Sequence, residues 1–296
     1  MARTDNLNNF LTDVADAIRE KKGTTYTIPA SSFDTEIASI ESGGEEEPIE
    51  ITNAQYLFYN GARQDLIGQL VKKFKNVTSL DHAFYGCSST IEIEQFDTSN
   101  TTNMDYAFYN CTVLKSLPIN DTSKVKDAEY MAYGCQCLYE LPENLDFSNC
   151  GGFYRTFYSS ALKSVGDLDL GSKYTSNVSV SGIFGNCLQL ESVGNLNCSN
   201  ILMSYAMFQT CGNLTTIGSL NGLGLKYSTT QNGNCVLDLS SCNKLTHDSL
   251  MNVINSIADV SHLSWSPSLK LGSTNLAKLD ADTEIIIATN KNWSVS

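Results

Sequence analysis

The sequence predicts an α/β repeat solenoid of about seven coils. One core position, usually a phenylalanine, returns along the chain after 26, 24, 24, 25, 27 and 24 residues, and a period in the middle twenties is typical of solenoids. The equivalent positions are Phe58, Phe84, Phe108, Ala132, Phe157, Phe184 and Phe208. Because one repeat has too little apolar surface for its own core, neighbouring repeats are expected to stack.

The clearest repeat runs from Asp97 to Pro118, and its pattern predicts three parts. A cysteine usually stands three residues after the core position and a leucine six residues after it, which favours a helical turn. The leucine then opens a second apolar pattern, Leu114-x-x-Leu117-x-Ile119, that is typical of the short strand of a leucine-rich repeat. A polar turn rich in Asp, Ser and Asn joins this strand to the next repeat.

Cysteines favour a buried ladder over disulfides. Five of the ten cysteines occupy the same position in their repeats, namely Cys87, Cys111, Cys135, Cys187 and Cys211. Small thiols in such a column are expected to pack as inert core. The other close cysteines lack the paired spacing of a zinc site, so we expect no metal and no cofactor.

Four regions are predicted along the chain. They are a helical attachment and oligomerisation module at 1–42, a linker at 43–48, a leucine-rich-repeat slab with an N-terminal cap at 49–245, and a C-terminal cap at 246–296. Glycine, glutamate and proline in the linker favour flexible chain. The N-terminal cap is a helix predicted over 62–74, which would cover the open end of the repeats.

The N-terminal module carries a predicted oligomerisation stripe. It consists of Leu7, Phe10, Leu11, Val14 and Ile18. Four of these residues follow the alternating spacing of a coiled-coil seam. A helix this short is marginal alone, so we expect a homo-oligomer, with a trimer as the specific hypothesis.

The C-terminal cap is expected to contain two helices and a strand. Thr246 is a predicted N-cap for a helix that buries Leu250 and Val253, and Asp280 is a predicted N-cap for a last helix. Residues 268–271 have the composition of a short strand.

Charge and motifs exclude several classes of function. The net charge of −13 would repel nucleic acid and anionic membranes. No run of eighteen apolar residues and no secretory signal is recognisable, so we expect neither membrane insertion nor secretion. No catalytic motif occurs, and the sequence therefore predicts a protein that is not an enzyme.

A column of tyrosines is the candidate ligand-binding surface. The residue after the core position is Tyr59, Tyr85, Tyr109, Tyr133 and Tyr158 in five successive repeats. Tyr56, Tyr106 and Tyr130, two residues before the core position, would widen it. Stacked rings with hydroxyl tips suit a sugar or a protein partner. The alternative is that the rings only shield the flank of the repeats.

A second repeated surface lies between the leucines of each predicted strand. It comprises Lys115, Ser116, Tyr139, Glu140, Lys163, Ser164, Glu191, Ser192, Thr215 and Thr216. In a solenoid this row would form the usual recognition face. Its mixed composition names no ligand, and a solvated sheet face is the simpler interpretation.

The repeats resemble a known family. FDTSNTTNMDYAFYNCTVLKSLP and VSGIFGNCLQLESVGNL are similar to the BspA-like, bacterial-surface type of leucine-rich repeat, over residues 54 to about 245. The N-terminal LTDVADAIREKKGTTYTIPASSFDTEIASI and the C-terminal LTHDSLMNVINSIADV resemble segments of structural proteins from phages of Gram-positive bacteria.

These resemblances imply a virion protein. The expected role is a tail fibre or receptor-binding protein, made in the host cytoplasm and assembled on the virion tail. Its expected partners are other virion proteins, through the N-terminal module, and a carbohydrate or protein of the host cell surface. Alternatives are a virion decoration or accessory protein without a receptor role, and a bacterial surface-type interaction protein.

Overall fold

The computed structural model describes residues 50–60, 64–143, 145–228 and 236–296. Consecutive repeats are hydrogen-bonded neighbours, because backbone N–H groups of one repeat donate to carbonyl groups of the next. The Phe84 N–H donates to the Ala107 carbonyl at 2.8 Å, and the Phe184 N–H donates to the Met207 carbonyl at 3.1 Å. The predicted module at 1–42, its oligomerisation stripe and the linker at 43–48 lie outside the described residues.

Regular secondary structure is sparse in the described part of the chain. The helices are α1 (Gln64–Val71), α2 (His247–Ser256), α3 (Gly272–Leu276) and α4 (Ile286–Asn290), with a π-helical turn (Ala281–Ile285) before α4. The strands are β1 (Ser164–Val165), β2 (Leu168–Asp169), β3 (Val178–Ser179), β4 (Ser192–Asn197), β5 (Ile201–Met203), β6 (Thr216–Asn221), β7 (Val236–Asp238), β8 (Ser268–Lys270) and β9 (Ser294–Val295).

All strand pairs among the described residues are parallel, and those of β1 to β6 join residues from consecutive repeats. β4 lies between β1 and β2 on one side and β6 on the other. Its register pairs Val193 with Val165 and with Ile217. A second sheet pairs β3 with β5, and a third has the order β7-β8-β9.

The predicted α/β leucine-rich-repeat solenoid with helical caps is wrong. The structure is only 13% helical and 15% strand. Among the described residues the strands form three small sheets of four, two and three strands, not one sheet that continues through seven coils. Isolated bridges, such as Ser79 with Asn103 and Asp127 with Gly152, are the strand-like pairing of the earlier repeats.

Proline explains why the predicted strand is missing from the clearest repeat. Pro118 and Pro142 stand four residues after the repeat leucine, and proline has no N–H to donate to a ladder. Later repeats have Gly166, Gly194 and Gly218 at this position, and β4 and β6 form there. A Cβ on Gly218 would lie 2.8 Å from the Gly194 backbone, so glycine is required by the close approach of neighbouring strands.

The predicted helical turn is a six-residue turn, named the aromatic turn after its core position. The aromatic turns are residues 55–60, 81–86, 105–110, 129–134, 154–159, 181–186 and 205–210. In each, the residues two before and two after the core position have a left-handed backbone, with φ between 53° and 71°. Two left-handed residues in one turn are incompatible with a right-handed helix, so no helical turn forms.

Core side chains lie in columns that run from repeat to repeat. Phe58, Phe84 and Phe108 are buried, and the rings of Phe84 and Phe108 stack at 5.3 Å with an interplanar angle of 6°. A second stack joins Phe157 to Phe184 and Phe184 to Phe208, both at 5.9 Å.

The cysteine column is confirmed as buried and free of disulfides. Each thiol donates to the carbonyl of the core residue in the preceding repeat. Cys111 Sγ lies 3.0 Å from the Phe84 oxygen, and Cys135 Sγ lies 3.1 Å from the Phe108 oxygen. Burial raises the pKa of the Cys135 thiol to about 12, which keeps the proton that this bond needs.

The polar turns bond to their own backbone, as the sequence predicts. The Asp97 carboxylate accepts the Ser99 N–H at 2.9 Å, and Asp121 accepts the Ser123 N–H at 2.8 Å. Between them, the buried Thr98 hydroxyl donates to the Asp121 carbonyl at 2.6 Å. The DTS sequence therefore closes its own turn and also ties it to the next repeat.

Two helix N-caps near the C-terminus are found where the sequence predicts them. The Thr246 hydroxyl accepts the Ser249 N–H at the start of α2, at 3.2 Å. The Asp280 carboxylate accepts the N–H groups of Asp282 and Thr283, both at 2.9 Å. β8 also falls within the predicted strand.

The thiol bonds lead to a prediction about stability. Cys111→Ala should lower the free energy of unfolding by about 1–3 kcal/mol, because it removes the hydrogen bond to Phe84 and leaves a small cavity. Cys111→Ser should lower the free energy of unfolding by less, because a serine hydroxyl can still form a hydrogen bond at this position. Ser160 occupies the same position in its own repeat and bonds to Cys187 at 3.3 Å. Urea unfolding of the full chain would measure both changes.

The matched control is Cys137→Ala. Cys137 is only partly buried and stands outside the column, so its loss should change stability by less than about 0.5 kcal/mol. Equal effects of Cys111→Ala and Cys137→Ala would contradict a role of the thiol column in stability.

Candidate ligand-binding surface

The first tyrosine row consists of Tyr59, Tyr85, Tyr109, Tyr133 and Tyr158. Neighbouring ring centroids lie 4.6, 4.6, 4.8 and 5.3 Å apart, and the ring planes are within 6–8° of parallel. All five side chains are half-buried. The structure thus brings together the five tyrosines that follow the core positions, whose role in binding stays a prediction.

The second tyrosine row consists of Tyr56, His82, Tyr106 and Tyr130. Neighbouring rings stack at 4.6, 4.5 and 4.7 Å. The two rows also contact each other, since the rings of Tyr106 and Tyr109 are 5.6 Å apart. We call the two rows together the tyrosine surface.

Sequence reasoning missed two members of this neighbourhood. His82 stands two residues before its core position, as Tyr106 does, and this equal spacing could have identified it. Tyr154 meets Tyr130 edge-on at 5.2 Å and 68°, although it lies one residue off the register of the row. Arg155 occupies the register position in that repeat, so no fixed spacing reveals Tyr154.

The second row is held at a cost in backbone energy. Tyr56, His82, Tyr106 and Tyr130 all have φ between 54° and 58°. A left-handed backbone costs about 1–2 kcal/mol for a residue with a side chain. Gly182 takes this position without that cost in a later repeat. Arg155 and Ala206 have the same left-handed φ in their own repeats, so the turn imposes this strain whatever the side chain.

Both rows end at one place in the chain. The Arg155 guanidinium lies over the rings of Tyr154 and Tyr158, at 5.2 and 4.9 Å from their centroids. On the far side, Gly185 leaves room for the Tyr158 ring, because a Cβ there would lie 2.7 Å from its Cε2 atom. The next repeats carry Gly185 and Gln209 where the first row would continue.

The close contact at Gly185 gives a second prediction. Gly185→Ala should displace the Tyr158 ring and lower the free energy of unfolding by about 1–3 kcal/mol through overpacking. Gly68→Ala is the matched control, since a Cβ at Gly68 in α1 meets nothing within 4 Å. That control should stabilise the protein by about 0.5–1 kcal/mol, because alanine favours helix. Chemical denaturation followed by tyrosine fluorescence would measure both free energies of unfolding. If Gly185→Ala left the free energy of unfolding unchanged, the close contact with the Tyr158 ring would be refuted.

The tyrosine surface offers hydroxyls and ring edges rather than ring faces. Parallel stacking covers the faces of the interior rings, so a ligand meets their outer edges. Burial raises the pKa of Tyr109 and brings that of Tyr130 to about 12. The phenols are therefore neutral near pH 7 and can both donate and accept hydrogen bonds.

A row of carboxylates borders the second tyrosine row. Asp81, Asp105 and Glu129 each precede a ring of that row by one residue. Burial, with the nearby charges of Asp127 and Glu129, raises the pKa of Asp105 to about 6. Burial also raises the pKa of Glu129. The Asp81 carboxylate contacts the His82 ring at 2.5 Å. This border gives the tyrosine surface a negative potential.

The second predicted surface is exposed and offers no comparable order. Its residues follow one another in the backbone ladder, as in the bonds from Lys163 to Tyr139 and from Thr215 to Glu191, both at 2.9 Å. Lys163 also lies over the Tyr139 ring at 5.5 Å. Mixed charge and hydroxyl groups in this row point to no ligand class.

The described part of the chain has neither a metal-binding cluster nor a membrane-spanning helix. Within residues 50–60, 64–143, 145–228 and 236–296, no group of three or more His, Cys, Asp or Glu side chains is placed to hold a metal ion. Over the same ranges, no helix has the length and apolar character to cross a membrane.

Comparison with known proteins supports the coarser part of the resemblance. Residues 50–165 match the family model described as "Mycoplasma protein of unknown function, DUF285". This family is related to BspA-like repeats, so the match fits a repeat-type surface protein. The matched stretch includes all nine residues of the tyrosine surface. Comparisons with curated proteins and with solved structures gave no match.

Proposed function

We propose that this chain is a phage virion structural protein, a tail fibre or receptor-binding protein that presents the tyrosine surface to carbohydrate of the host envelope. The observation that carries the proposal is the pair of stacked rows, nine aromatic side chains in successive register. The resemblance of both chain ends to phage structural proteins supports the placement on a virion tail.

The stacked tyrosines are suited to bind a ligand because they are already ordered. Tyrosine presents a large amphipathic surface with few rotatable bonds, so little conformational entropy is lost when a ligand binds. Stacking holds each ring before the ligand arrives, which reduces that loss further. The sequence carries no recognisable catalytic motif, and we propose binding without catalysis.

Substitutions in the first row test the proposal. Tyr109→Ser combined with Tyr133→Ser should weaken adsorption of the purified full chain to cells or wall polysaccharide of Gram-positive bacteria by at least about tenfold. The reason is that both central rings and both hydroxyls are lost. The pair Tyr109→Phe and Tyr133→Phe keeps the stacking, so a loss of adsorption there assigns the contact to the hydroxyls.

Tyr205→Ser is the matched control for these variants. Tyr205 is 57% exposed and lies outside both rows, so its loss should leave adsorption unchanged. Unfolding midpoints measured alongside separate lost binding from lost folding. Native adsorption by the folded double serine variant would refute the tyrosine surface as the binding site.

A second candidate function is favoured by the family match. Because residues 50–165 resemble a Mycoplasma family with surface-type repeats, the chain would instead act as a bacterial surface-type interaction protein. An antibody against the purified protein distinguishes the two. Labelling of tail tips on phage particles supports the first function, whereas labelling of uninfected bacterial cells supports the second. Labelling of phage heads would indicate a decoration protein.

Residues 1–42 are proposed to join the chain to other virion proteins and to make it a homo-oligomer. The motivation is the heptad spacing of the apolar residues from Leu7 to Ile18. The full chain should have the mass of a trimer by light scattering, and a version that starts at residue 43 should be a monomer. A full chain that is monomeric at all concentrations would refute this role.

A further inference from the structure

We propose that the ligand of the tyrosine surface is a linear glycan without negative charge, which lies along the rows with one sugar to each repeat. This inference rests on the proposed function and names its ligand class. Three observations carry it, namely the spacing of the rings, the charge beside them and the end of the rows.

Ring spacing selects the kind of polymer. Neighbouring rings of the first row are 4.6–5.3 Å apart, which corresponds to the length of one pyranose ring in an extended chain. A peptide strand advances about 3.3 Å per residue, so its side chains on one face repeat at about 6.6 Å and fall out of step with the rings. Successive sugars of an extended β-1,4-linked glycan turn opposite sides to the rings, so its equivalent groups meet every second ring and stay in step with the row.

Backbone bonds fix this spacing. The Gly86 N–H donates to the Tyr109 carbonyl at 2.7 Å, and the Asn110 N–H donates to the Tyr133 carbonyl at 2.8 Å. Each bond joins the chain beside one ring of the first row to the backbone of the next ring. The rows are therefore rigid along their length, and a ligand must match their period to use more than one ring.

Charge beside the rows excludes polyanions. Asp81, Asp105 and Glu129 lie along the second row in three consecutive repeats. Of the ion pairs among described residues, none joins Asp105 or Glu129 to a lysine or arginine. Arg155 lies over Tyr154 and Tyr158 at one end of the rows. A polymer with one negative charge per sugar would therefore be repelled where it passes these three carboxylates.

The rows have a defined length. The first row has five rings and ends at Tyr158, because Gly185 provides the space for that ring and no ring of its own. Contacts should therefore accumulate sugar by sugar and then stop. A ligand bound at a single pocket would instead reach full affinity with one or two sugars.

The test is a length series of linear oligosaccharides, from disaccharide to octasaccharide. The probes are β-1,4-linked oligomers of glucose and of N-acetylglucosamine, with β-1,4-linked glucuronic acid oligomers as the anionic match. For the neutral sugars we expect affinity to rise by about two- to tenfold with each added sugar and to level off near the pentasaccharide. The anionic oligomers should bind more weakly at every length.

Variants separate the contributions of the rings. Tyr109→Phe should reduce binding of the pentasaccharide several-fold, since it removes a hydroxyl from the centre of the row and keeps the ring stacked. Tyr205→Ser should have no effect. With short probes the Tyr109→Phe effect should shrink, because a short probe can bind at other rings of the row.

Each outcome bears on a different claim. If short and long neutral oligomers bind equally well, or if the anionic oligomers bind more tightly, the inference about the ligand is overturned while carbohydrate binding stands. If no oligomer of any length binds and the chain also fails to adsorb to bacterial walls, the proposed function itself is overturned. Adsorption to walls without binding of any linear probe overturns the linear ligand alone.

Discussion

The hydrogen bonds between successive aromatic turns are the constraint on which the rest of the structure depends. Alternate N–H groups in each turn donate to the next repeat, as in the bonds from His82 to Asp105 at 2.9 Å and from Phe84 to Ala107 at 2.8 Å. Because these bonds run through the whole turn, every side chain stands beside its equivalent. Stacked phenylalanines, thiol bonds and tyrosine rows all follow from this register. Left-handed residues at two fixed positions give the turn the curvature that this bonding needs.

The repeats are uniform inside and varied outside. The Phe column extends from Phe58 to Phe208 with Ala132 at one position, and the Cys column extends from Cys87 to Cys211 with Ser160 at one position. Cys242 continues the thiol bonding to the Phe208 carbonyl at 3.5 Å. The tyrosine rows cover only the earlier repeats. Later repeats have glycine, glutamine or alanine there and form the regular strands that the earlier ones lack. A stable interior that does not depend on the rows leaves these outer positions available for recognition.

The equal spacing of residues within each repeat made part of this architecture predictable from the sequence. The cysteine column, the Asx turns and the first tyrosine row follow from equal spacing, because equal positions in stacked repeats must meet. The predicted strand of the Asp97–Pro118 repeat is wrong, because leucine spacing does not register the missing N–H groups of Pro118 and Pro142, whereas the same spacing coincides with β4 and β6 in later repeats. The left-handed backbone at Tyr106 was also beyond the sequence, because local preference would place glycine there and only tertiary bonding overrides it. Tyr154 lies off register, and no local pattern could reveal it.

The thiol bond from one repeat to the carbonyl of its neighbour has a consequence for how such a chain can change over time. Since the same bond, the same ring stack and the same turn recur every two dozen residues, a recombination between two repeats would insert or delete a whole unit without disturbing the interior on either side. The inserted unit would bring its own outer residues in register. Recombination could thus lengthen or shorten the outer rows in steps of one ring, and the range of polymers that fit would change with gene length rather than with point substitutions.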